Sequence, residues 1–301
     1  MKKRFSLKNK LVIIFGLLIF AAGFTLAFLG VRVARKAVTE KVETHLIDKA
    51  TDTAEIIDGR ITAFWQFLEG IARMPILVNP AVSYEEKVNH LKKEALFNEK
   101  IEQLGLYDLS GVRKTSDDRI VSALDREWFQ AASAGKSFVS EPLVSRVLNT
   151  LVFVFAVPVY DNNRTITAVL NCTVKAEHLS NDIHDIVVGQ TGECYILDNT
   201  GSTIADRDFD LVRTRSNAYE ESKTNLSLKS AGAFEKMAVE IDEPSIGFYE
   251  YGGVSKIASY ATMKTTGWTV IISAPVNEFM GTVDELRLEM IIIGAAILLT
   301  T

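Results

Sequence analysis

The chain has 301 residues, and its composition of 48% hydrophobic and 24% charged residues is that of a globular rather than a disordered protein. Its mean hydropathy of +0.13 is high for so charged a chain, so apolar residues must be concentrated in particular segments. Residues 1–31 hold five basic residues and no acidic one, which leaves 28 basic and 38 acidic residues for the remainder. That acidic balance argues against nucleic-acid binding, and two cysteines exclude a disulfide-rich scaffold.

The first apolar segment runs from Leu11 to Val31 without a charged residue. As an α-helix it would be roughly 30 Å long, enough to cross a bilayer. The alternative is a cleaved signal peptide, whose apolar region is shorter, about 7–15 residues. Basic residues are more numerous before the segment than after it. This bias predicts a cytoplasmic N-terminus (1–10), a first transmembrane helix (11–31) and an extracytoplasmic domain after it.

A second apolar segment covers residues 290–301. As a helix it would be about 18 Å long, too short to cross a bilayer by itself. We interpret 288–301 as the start of a second, truncated transmembrane helix, which leaves 32–287 as a domain held between two spans. The alternative is a short hydrophobic tail that packs on the domain.

The residues after the first span predict one long amphipathic helix. Apolar side chains recur at spacings of three and four from Val38 to Ile71, and Met74-Pro75 ends the pattern. We assign 32–80 to this stalk. Because such a helix has more apolar surface than one small domain covers, we expect it to pack along the domain or against a second copy, which predicts a homodimer.

Two similar series of elements follow the stalk. The first module (81–185) has a predicted helix at 83–98, a hairpin of 103–107 with 112–114, and strands at 151–159 and 165–174. The second module (186–280) has a hairpin of 193–197 with 202–205 and strands at 247–251, 255–263 and 267–274. Two hairpin-led sheets in tandem predict an α+β fold with an internal duplication.

Three local sequences carry a family resemblance: DREWFQAASAGKSFVSEP at 125–142, VGQTGECYILDNTGSTIAD at 188–206, and GWTVIISAPVNEF at 267–279. With the order of spans and modules, they resemble the double Cache sensor domains of methyl-accepting chemotaxis proteins, the bacterial chemoreceptors. The resemblance implies a long N-terminal helix followed by two tandem PAS-like (Cache) modules with antiparallel sheets, flanked by two transmembrane helices. It also implies a homodimeric, multi-pass protein of the bacterial inner membrane.

The same resemblance implies that the membrane-distal first module binds a small solute and that the membrane-proximal second module transmits the signal. Output would be control of a cytoplasmic kinase through adaptor proteins, by a part of the receptor beyond residue 301. Histidine kinases and diguanylate cyclases carry the same outer domain, so a membrane enzyme is one rival. A tethered structural or adhesive domain without a ligand is another.

A candidate ligand site follows from Arg126, Trp128 and Phe129. The guanidinium presents a planar set of donors suited to a carboxylate, and the two aromatic rings supply walls. This looks like the Arg-x-Trp-aromatic pattern by which the family binds amino acids. In the alternative reading, Arg126 pairs with Asp125 or Glu127 in solvent while the two rings fill the core.

The sequence departs from the family pattern where the ligand's ammonium group would bind. Where the family pattern has an aromatic residue and an acid, this chain has Leu143 and Ser145. Where the pattern has a further acid, this chain has Thr173. A neutral hydrogen bond does not offset the desolvation of a buried ammonium. We therefore expect a small carboxylate or another small anion. The predicted ligand-binding residues are Arg126, Trp128, Phe129, Tyr107, Leu143, Ser145 and Thr173.

Other chemistry-bearing residues give weaker patterns. His178 and Asp182 are four residues apart and could share a metal on a helix, although a solvent-facing polar helix is the commoner case. Cys172 and Cys194 fall in strands of different modules, which favours two buried thiols over a disulfide. Because the sequence carries no catalytic triad motif and no phosphate-binding loop, we expect a non-enzymatic protein without a metal or cofactor.

Overall fold

The computed structural model describes residues 7–114 and 120–300, and its longest element is helix α1, Leu7–Ala72. At 66 residues this helix is roughly 100 Å long. It ends where Met74 takes an extended conformation and Pro75 begins the short helix α2, Pro75–Val78, as predicted. In the described part of the chain, one helix is long and apolar enough to cross a membrane, with an 18-residue stretch of mean hydropathy 2.4 and none of it buried. Residues 1–6 of the expected cytoplasmic N-terminus lie outside the described residues.

The first sheet follows helix α3, Tyr84–Ala95, whose N-terminus is closed by a capping box between Ser83 and Glu86. Its five described strands are β1 Gln103–Asp108, β4 Phe138–Val139, β5 Leu143–Val144, β6 Leu151–Tyr160 and β7 Ile166–Lys175. They run in the order β1-β7-β6-β4, with β5 also paired to β6. Helix α4, Glu127–Ser133, covers this sheet.

The prediction that 103–107 pairs with 112–114 in a hairpin is wrong. Strand β1 pairs with β7, whereas β2, Val112–Lys114, pairs with β3, Ile120–Ser122, in a separate two-stranded sheet. The turn itself is present, since Gly111 N–H donates to the Asp108 carbonyl at 3.0 Å and Gly111 has a φ of 72°. The chain therefore turns where expected, but β2 leaves the plane of the first sheet.

The second sheet begins after helix α5, Glu177–His184. Its strands are β8 Glu193–Leu197, β9 Thr203–Ala205, β10 Ser245–Tyr251, β11 Val254–Thr262 and β12 Thr269–Pro275, in the order β10-β11-β12-β8-β9. Between β9 and β10 lie helices α6 Phe209–Thr214, α7 Ala218–Glu221 and α8 Lys229–Glu240, with a short 3-10 helix at Leu226–Leu228. The hairpin of β8 with β9 is confirmed. Helix α9, Val276–Thr300, ends the described chain.

The two sheets share one topology. Counted from the first strand of each, the orders are β1-β7-β6-β5 and β8-β12-β11-β10, with every pairing antiparallel. The registers also correspond, because Gln103 lies opposite Thr173 in the first sheet and Glu193 lies opposite Ser273 in the second.

Helix α1 packs on one face of both sheets and gives them a continuous core. The Ser259 hydroxyl on β11 donates to the Leu46 carbonyl of α1 at 2.6 Å, and the rings of Phe64 and Phe155 are 4.6 Å apart. Phe153 and Trp268 join the two sheets at 5.6 Å between ring centroids. On the opposite faces, separate aromatic clusters lie beneath α4 and α8. These helix-covered outer faces hold the two cavities described below.

Candidate functional site

The first cavity lies on the outer face of the first sheet, is open to solvent and has a volume of about 30 Å³. Six of the seven predicted ligand-binding residues line it: Tyr107, Arg126, Trp128, Leu143, Ser145 and Thr173. They come from four separate places, namely β1, the start of α4, the β5 segment and β7. The fold thus brings together residues that are far apart in the sequence.

Arg126 occupies the residue before α4, in an extended conformation that leaves its half-buried side chain at the cavity. Its Nη2 lies 3.4 Å from the Val144 carbonyl oxygen. The alternative partner Asp125 is bound instead to Arg146, through Nη1 at 2.8 Å and Nη2 at 2.5 Å. Among the described residues, no ion pair involves Arg126.

The aromatic wall of the cavity is a cluster of three rings. Trp128 lies edge-on to Tyr107 with ring centroids 5.4 Å apart, and both side chains are buried. Phe129, the seventh predicted residue, is not among those lining the cavity. It packs behind the wall, 6.2 Å from the Tyr107 ring and 6.1 Å from that of Trp128. Its place is therefore structural support for the two rings that face the ligand space.

Arg113 also lines the cavity, although the sequence analysis did not predict it. It is 5% exposed and lies over the Tyr107 ring at 5.5 Å. The space for its guanidinium exists because position 105 is glycine: a Cβ there would lie 1.8 Å from Arg113 Nη1. The signal in the sequence is Gly105 itself, since a lone glycine inside an apolar strand marks the close approach of another group.

The cavity is positively charged. Three guanidiniums line it, from Arg113, Arg126 and Arg146, and no Asp or Glu is among its described lining residues. Burial raises the pKa of Tyr107, and the three arginines oppose that rise. Arg146 also holds the pKa of Asp125, at the rim, at about 2. Arg146 is therefore paired, whereas no ion pair of Arg113 or Arg126 is found among the described residues.

Asn171 on β7 places an unpaired acceptor in the same cavity. The residue is 5% exposed, and its Oδ1 has no hydrogen-bond partner among the described residues. A buried acceptor without a donor costs about 1–3 kcal/mol, which a ligand donor would recover. The Ser145 hydroxyl, in contrast, already accepts from Val147 N–H at 3.3 Å and Leu148 N–H at 3.1 Å. The sequence signal for Asn171 is a polar residue inside an otherwise apolar strand.

Arg215 links the first cavity to the second sheet. It bonds to the buried carboxylate of Asp198, to Glu141 Oε2 at 2.6 Å and to the Pro142 carbonyl at 3.2 Å. Pro142 directly precedes Leu143, which lines the cavity. Arg215 therefore joins that segment to the turn between β8 and β9, where Asp198 lies.

The remaining candidate groups are occupied or buried. Asp182 accepts from Lys100 Nζ at 2.9 Å and lies 3.6 Å from Arg60, and within the described residues no three His, Cys, Asp or Glu side chains converge as metal ligands. Cys172 and Cys194 are free buried thiols, as predicted, and burial raises the pKa of Cys194 to about 12. Nothing in this arrangement activates either sulfur as a nucleophile.

The chain is built as a long helix that carries two sheet modules of one topology, each with a cavity on its helix-covered face. Residues 31–283 match the Cache domain family model dCache_1, and the chain belongs to that family. The resemblance to chemoreceptor sensor domains is thereby confirmed. No curated protein sequence matches the chain.

Three solved structures show how widely this fold is shared. The ligand-binding domain of Campylobacter jejuni chemoreceptor Tlp3 in complex with L-valine is 14% identical, with a TM-score of 0.60, covering 81% of this chain and 96% of that domain. The ligand-binding domain of Pseudomonas fluorescens chemoreceptor CtaA in complex with L-isoleucine is 15% identical, with a TM-score of 0.62 and coverages of 83% and 98%. The extracellular domain of the putative histidine kinase mmHK1S-Z3 is 12% identical, with a TM-score of 0.63 and coverages of 84% and 99%.

Proposed function

We propose that this protein is a transmembrane sensor that binds a small organic carboxylate in the first cavity. The observation that carries the proposal is the cluster of three guanidiniums without a carboxylate among the described lining residues. Arginine binds a carboxylate through two parallel hydrogen bonds. The unpaired Asn171 Oδ1 adds a requirement for a hydrogen-bond donor beside that carboxylate. A 2-hydroxycarboxylate supplies both groups.

The proposal differs from the amino-acid ligands of the Tlp3 and CtaA structures at one group. A carboxylate is common to both ligand classes, but an α-amino acid also brings an ammonium ion. At the expected position for its acidic partner this chain has Thr173, 4% exposed. A buried ammonium near Thr173 and the Arg113 and Arg126 guanidiniums would be poorly solvated and repelled.

For the membrane arrangement we propose the boundaries given by the sequence: a cytoplasmic segment 1–10, spans at 11–31 and from 288, and an extracytoplasmic sensor of two tandem PAS-like modules at 32–287. Helix α9 packs along α1, and Met290 Cε lies 3.5 Å from the place of a Cβ on Gly30. Because Gly30 belongs to the first apolar segment, this contact supports a second span beside it. The exposed Ile56 and Phe67 on α1 support a homodimer.

For the output we propose chemotactic signalling through a cytoplasmic kinase and its adaptor proteins. The similarity to the extracellular domain of a putative histidine kinase favours a sensor kinase as the second candidate. The coding frame after Thr301 separates the two. A long heptad-patterned helical hairpin would support the chemoreceptor, whereas a nucleotide-binding domain would support the kinase.

The ligand proposal is tested with three compounds of one carbon skeleton: 2-hydroxy-3-methylbutanoate, 3-methylbutanoate and L-valine. Each is titrated by calorimetry into the chain in detergent, and thermal unfolding is followed in parallel. We expect the hydroxy acid to bind most tightly, the plain acid about tenfold more weakly because Asn171 stays unpaired, and L-valine most weakly. A ligand at 100 times its Kd adds about 2.7 kcal/mol to the free energy of unfolding.

Arg126→Ala should abolish this binding, and Arg73→Ala, at an exposed arginine outside the cavity lining, is the matched control. Tightest binding of L-valine would replace the proposal with an amino-acid site. Equal binding of the two acids without an amino group would remove Asn171 from the recognition. Binding that survives Arg126→Ala would place the site elsewhere.

A further inference from the structure

The second sheet holds a cavity larger than the first, with a volume of about 350 Å³. It lies on the outer face of that sheet, beneath α8. Gln103 and Glu193 occupy the same position in their sheets, at the start of β1 and of β8. Gln103 lines the first cavity and Glu193 lines the second. The duplicated topology thus repeats the place of the ligand cavity as well as the order of the strands.

The walls of the second cavity are tyrosines. Tyr195 is 6% exposed and Tyr249 is 5% exposed, and Tyr251 lies at the edge of the sheet. Tyr249 stacks on Phe234 with ring centroids 5.0 Å apart, which fixes its orientation. Aromatic faces of this kind bind alkyl chains and attract ammonium groups.

The charge of this cavity is opposite to that of the first. Five carboxylates line it, and Arg207 is the one cation among the described lining residues. The carboxylates belong to Glu193, Asp206, Asp208, Glu221 and Glu235. Lys256 neutralises Glu193. Two further carboxylates have local donors: Asp208 accepts from Asp210 N–H at 3.1 Å, and Glu221 accepts from the Ser216 hydroxyl at 2.7 Å.

Neither Asp206 nor Glu235 forms an ion pair among the described residues, although both are partly buried and Lys256 interacts electrostatically with Asp206. Glu235 Oε1 accepts a hydrogen bond of 3.3 Å from the Tyr195 hydroxyl, and Asp206 accepts from Asp208 N–H at 2.7 Å. Burial raises the pKa of Asp206 to about 6 and that of Glu235 to about 7. Burial disfavours the charged form of both carboxylates, and an ion pair with a cationic ligand would stabilise it.

The geometry of the second cavity favours an organic cation over a metal ion as its ligand. Within the described residues no three acidic, His or Cys side chains are close enough together to hold a metal. A cavity of this volume, with carboxylates spread around tyrosine faces, has the shape of a small-molecule site.

We infer that the second cavity is a separate ligand site for a small organic amine, whose ammonium group binds Glu235 and Asp206 and whose carbon chain lies against Tyr195 and Tyr249. This goes beyond the proposed carboxylate sensing, since it assigns a second ligand, of opposite charge, to the module expected to transmit the signal. Each site excludes the other's ligand electrostatically.

The test uses butane-1,4-diamine and its neutral analogue butane-1,4-diol, titrated by calorimetry into the whole chain in detergent. We expect saturable binding of the diamine and none of the diol. Glu235→Gln and Asp206→Asn should each weaken diamine binding about tenfold or more. Asp242→Asn, at an exposed acid outside the cavity lining, is the matched control and should leave it unchanged.

Thermal unfolding of each variant checks that it is folded, and Arg126→Ala should leave diamine binding intact because it alters the other cavity. Diamine binding that persists in both Glu235→Gln and Asp206→Asn, or equal binding of the diol, would overturn the inference. So would the absence of binding by butane-1,4-diamine, spermidine and tyramine alike. None of these outcomes bears on the carboxylate site, which is tested by its own ligands.

Discussion

Replacement of Arg215 by alanine should destabilise the chain by about 2 kcal/mol. Asp198 is fully buried, and Arg215 is its one ion-pair partner among the described residues. An unpaired buried charge costs about 3–5 kcal/mol. Here the cost is smaller for two reasons. Arg215 is 32% exposed, so water can replace it. Asp198 Oδ1 also keeps its hydrogen bonds from Thr200 N–H at 2.8 Å and Ser202 N–H at 3.0 Å.

Two further variants divide this effect into its parts. Arg215 ends α6 in the left-handed conformation, with a φ of 53°, which costs a non-glycine residue about 1 kcal/mol. Arg215→Gly therefore loses the ion pair but relieves that strain, and should be about 1 kcal/mol more stable than Arg215→Ala. Glu141→Gln removes a partner that is 41% exposed and should cost less than about 1 kcal/mol.

The free energies are measured by urea unfolding of the three variants, and thermal unfolding should show a loss of about 4–8 °C in Tm for Arg215→Ala. The reasoning is refuted if Arg215→Ala is as stable as the parent chain, because Asp198 would then not depend on it. A glycine variant less stable than the alanine variant would refute the contribution of backbone strain.

Three other predictions follow from the same geometry. Gly105→Ala displaces the Arg113 guanidinium, so calorimetry should show about tenfold weaker binding of 2-hydroxy-3-methylbutanoate; unchanged affinity would exclude Arg113 from the site. The pKa of Glu235 rises from 4.5 to about 7 on folding, so stability falls as pH increases between these values; Glu235→Gln should lack this loss in urea unfolding, and an identical pH profile would contradict the shift. Cys172 and Cys194 should react with a thiol reagent at about pH 8 only after unfolding.

The main elements of the fold are predictable from the sequence because they depend on local patterns. Met74-Pro75 ends the long helix, the capping box at Ser83 begins the next one, and the apolar run from Leu151 is one strand of the first sheet. Strand pairing is less predictable. Strand β2 follows β1 after a good turn, yet it pairs with β3, so one edge of β1 has no strand partner among the described residues. Which partner a short strand takes depends on distant segments that a local pattern does not contain.

The residues of the candidate site are likewise predictable only in part. Arg126 and Trp128 belong to one local phrase and both line the first cavity, whereas Phe129, their neighbour, turns into the supporting cluster. Arg113 reaches the cavity through the unexpected course of β2. Asn171 gains its significance because its Oδ1 has no hydrogen-bond partner among the described residues, which only the three-dimensional packing determines.

The proposed sensing function requires that the ligand bind one arrangement of the modules better than another, since a ligand with equal affinity for both shifts nothing. The first cavity meets this requirement if the arginines close on the anion, because each then gains contacts that the open form lacks. Arg126 already contacts the Val144 carbonyl, and the same segment continues back to Pro142, which Arg215 holds. Closure would therefore pull on Asp198 in the second sheet. The strength of the Arg215 contacts limits how much of the ligand's differential affinity can reach the second module. The variant that weakens these contacts most should therefore show the weakest coupling between the two modules.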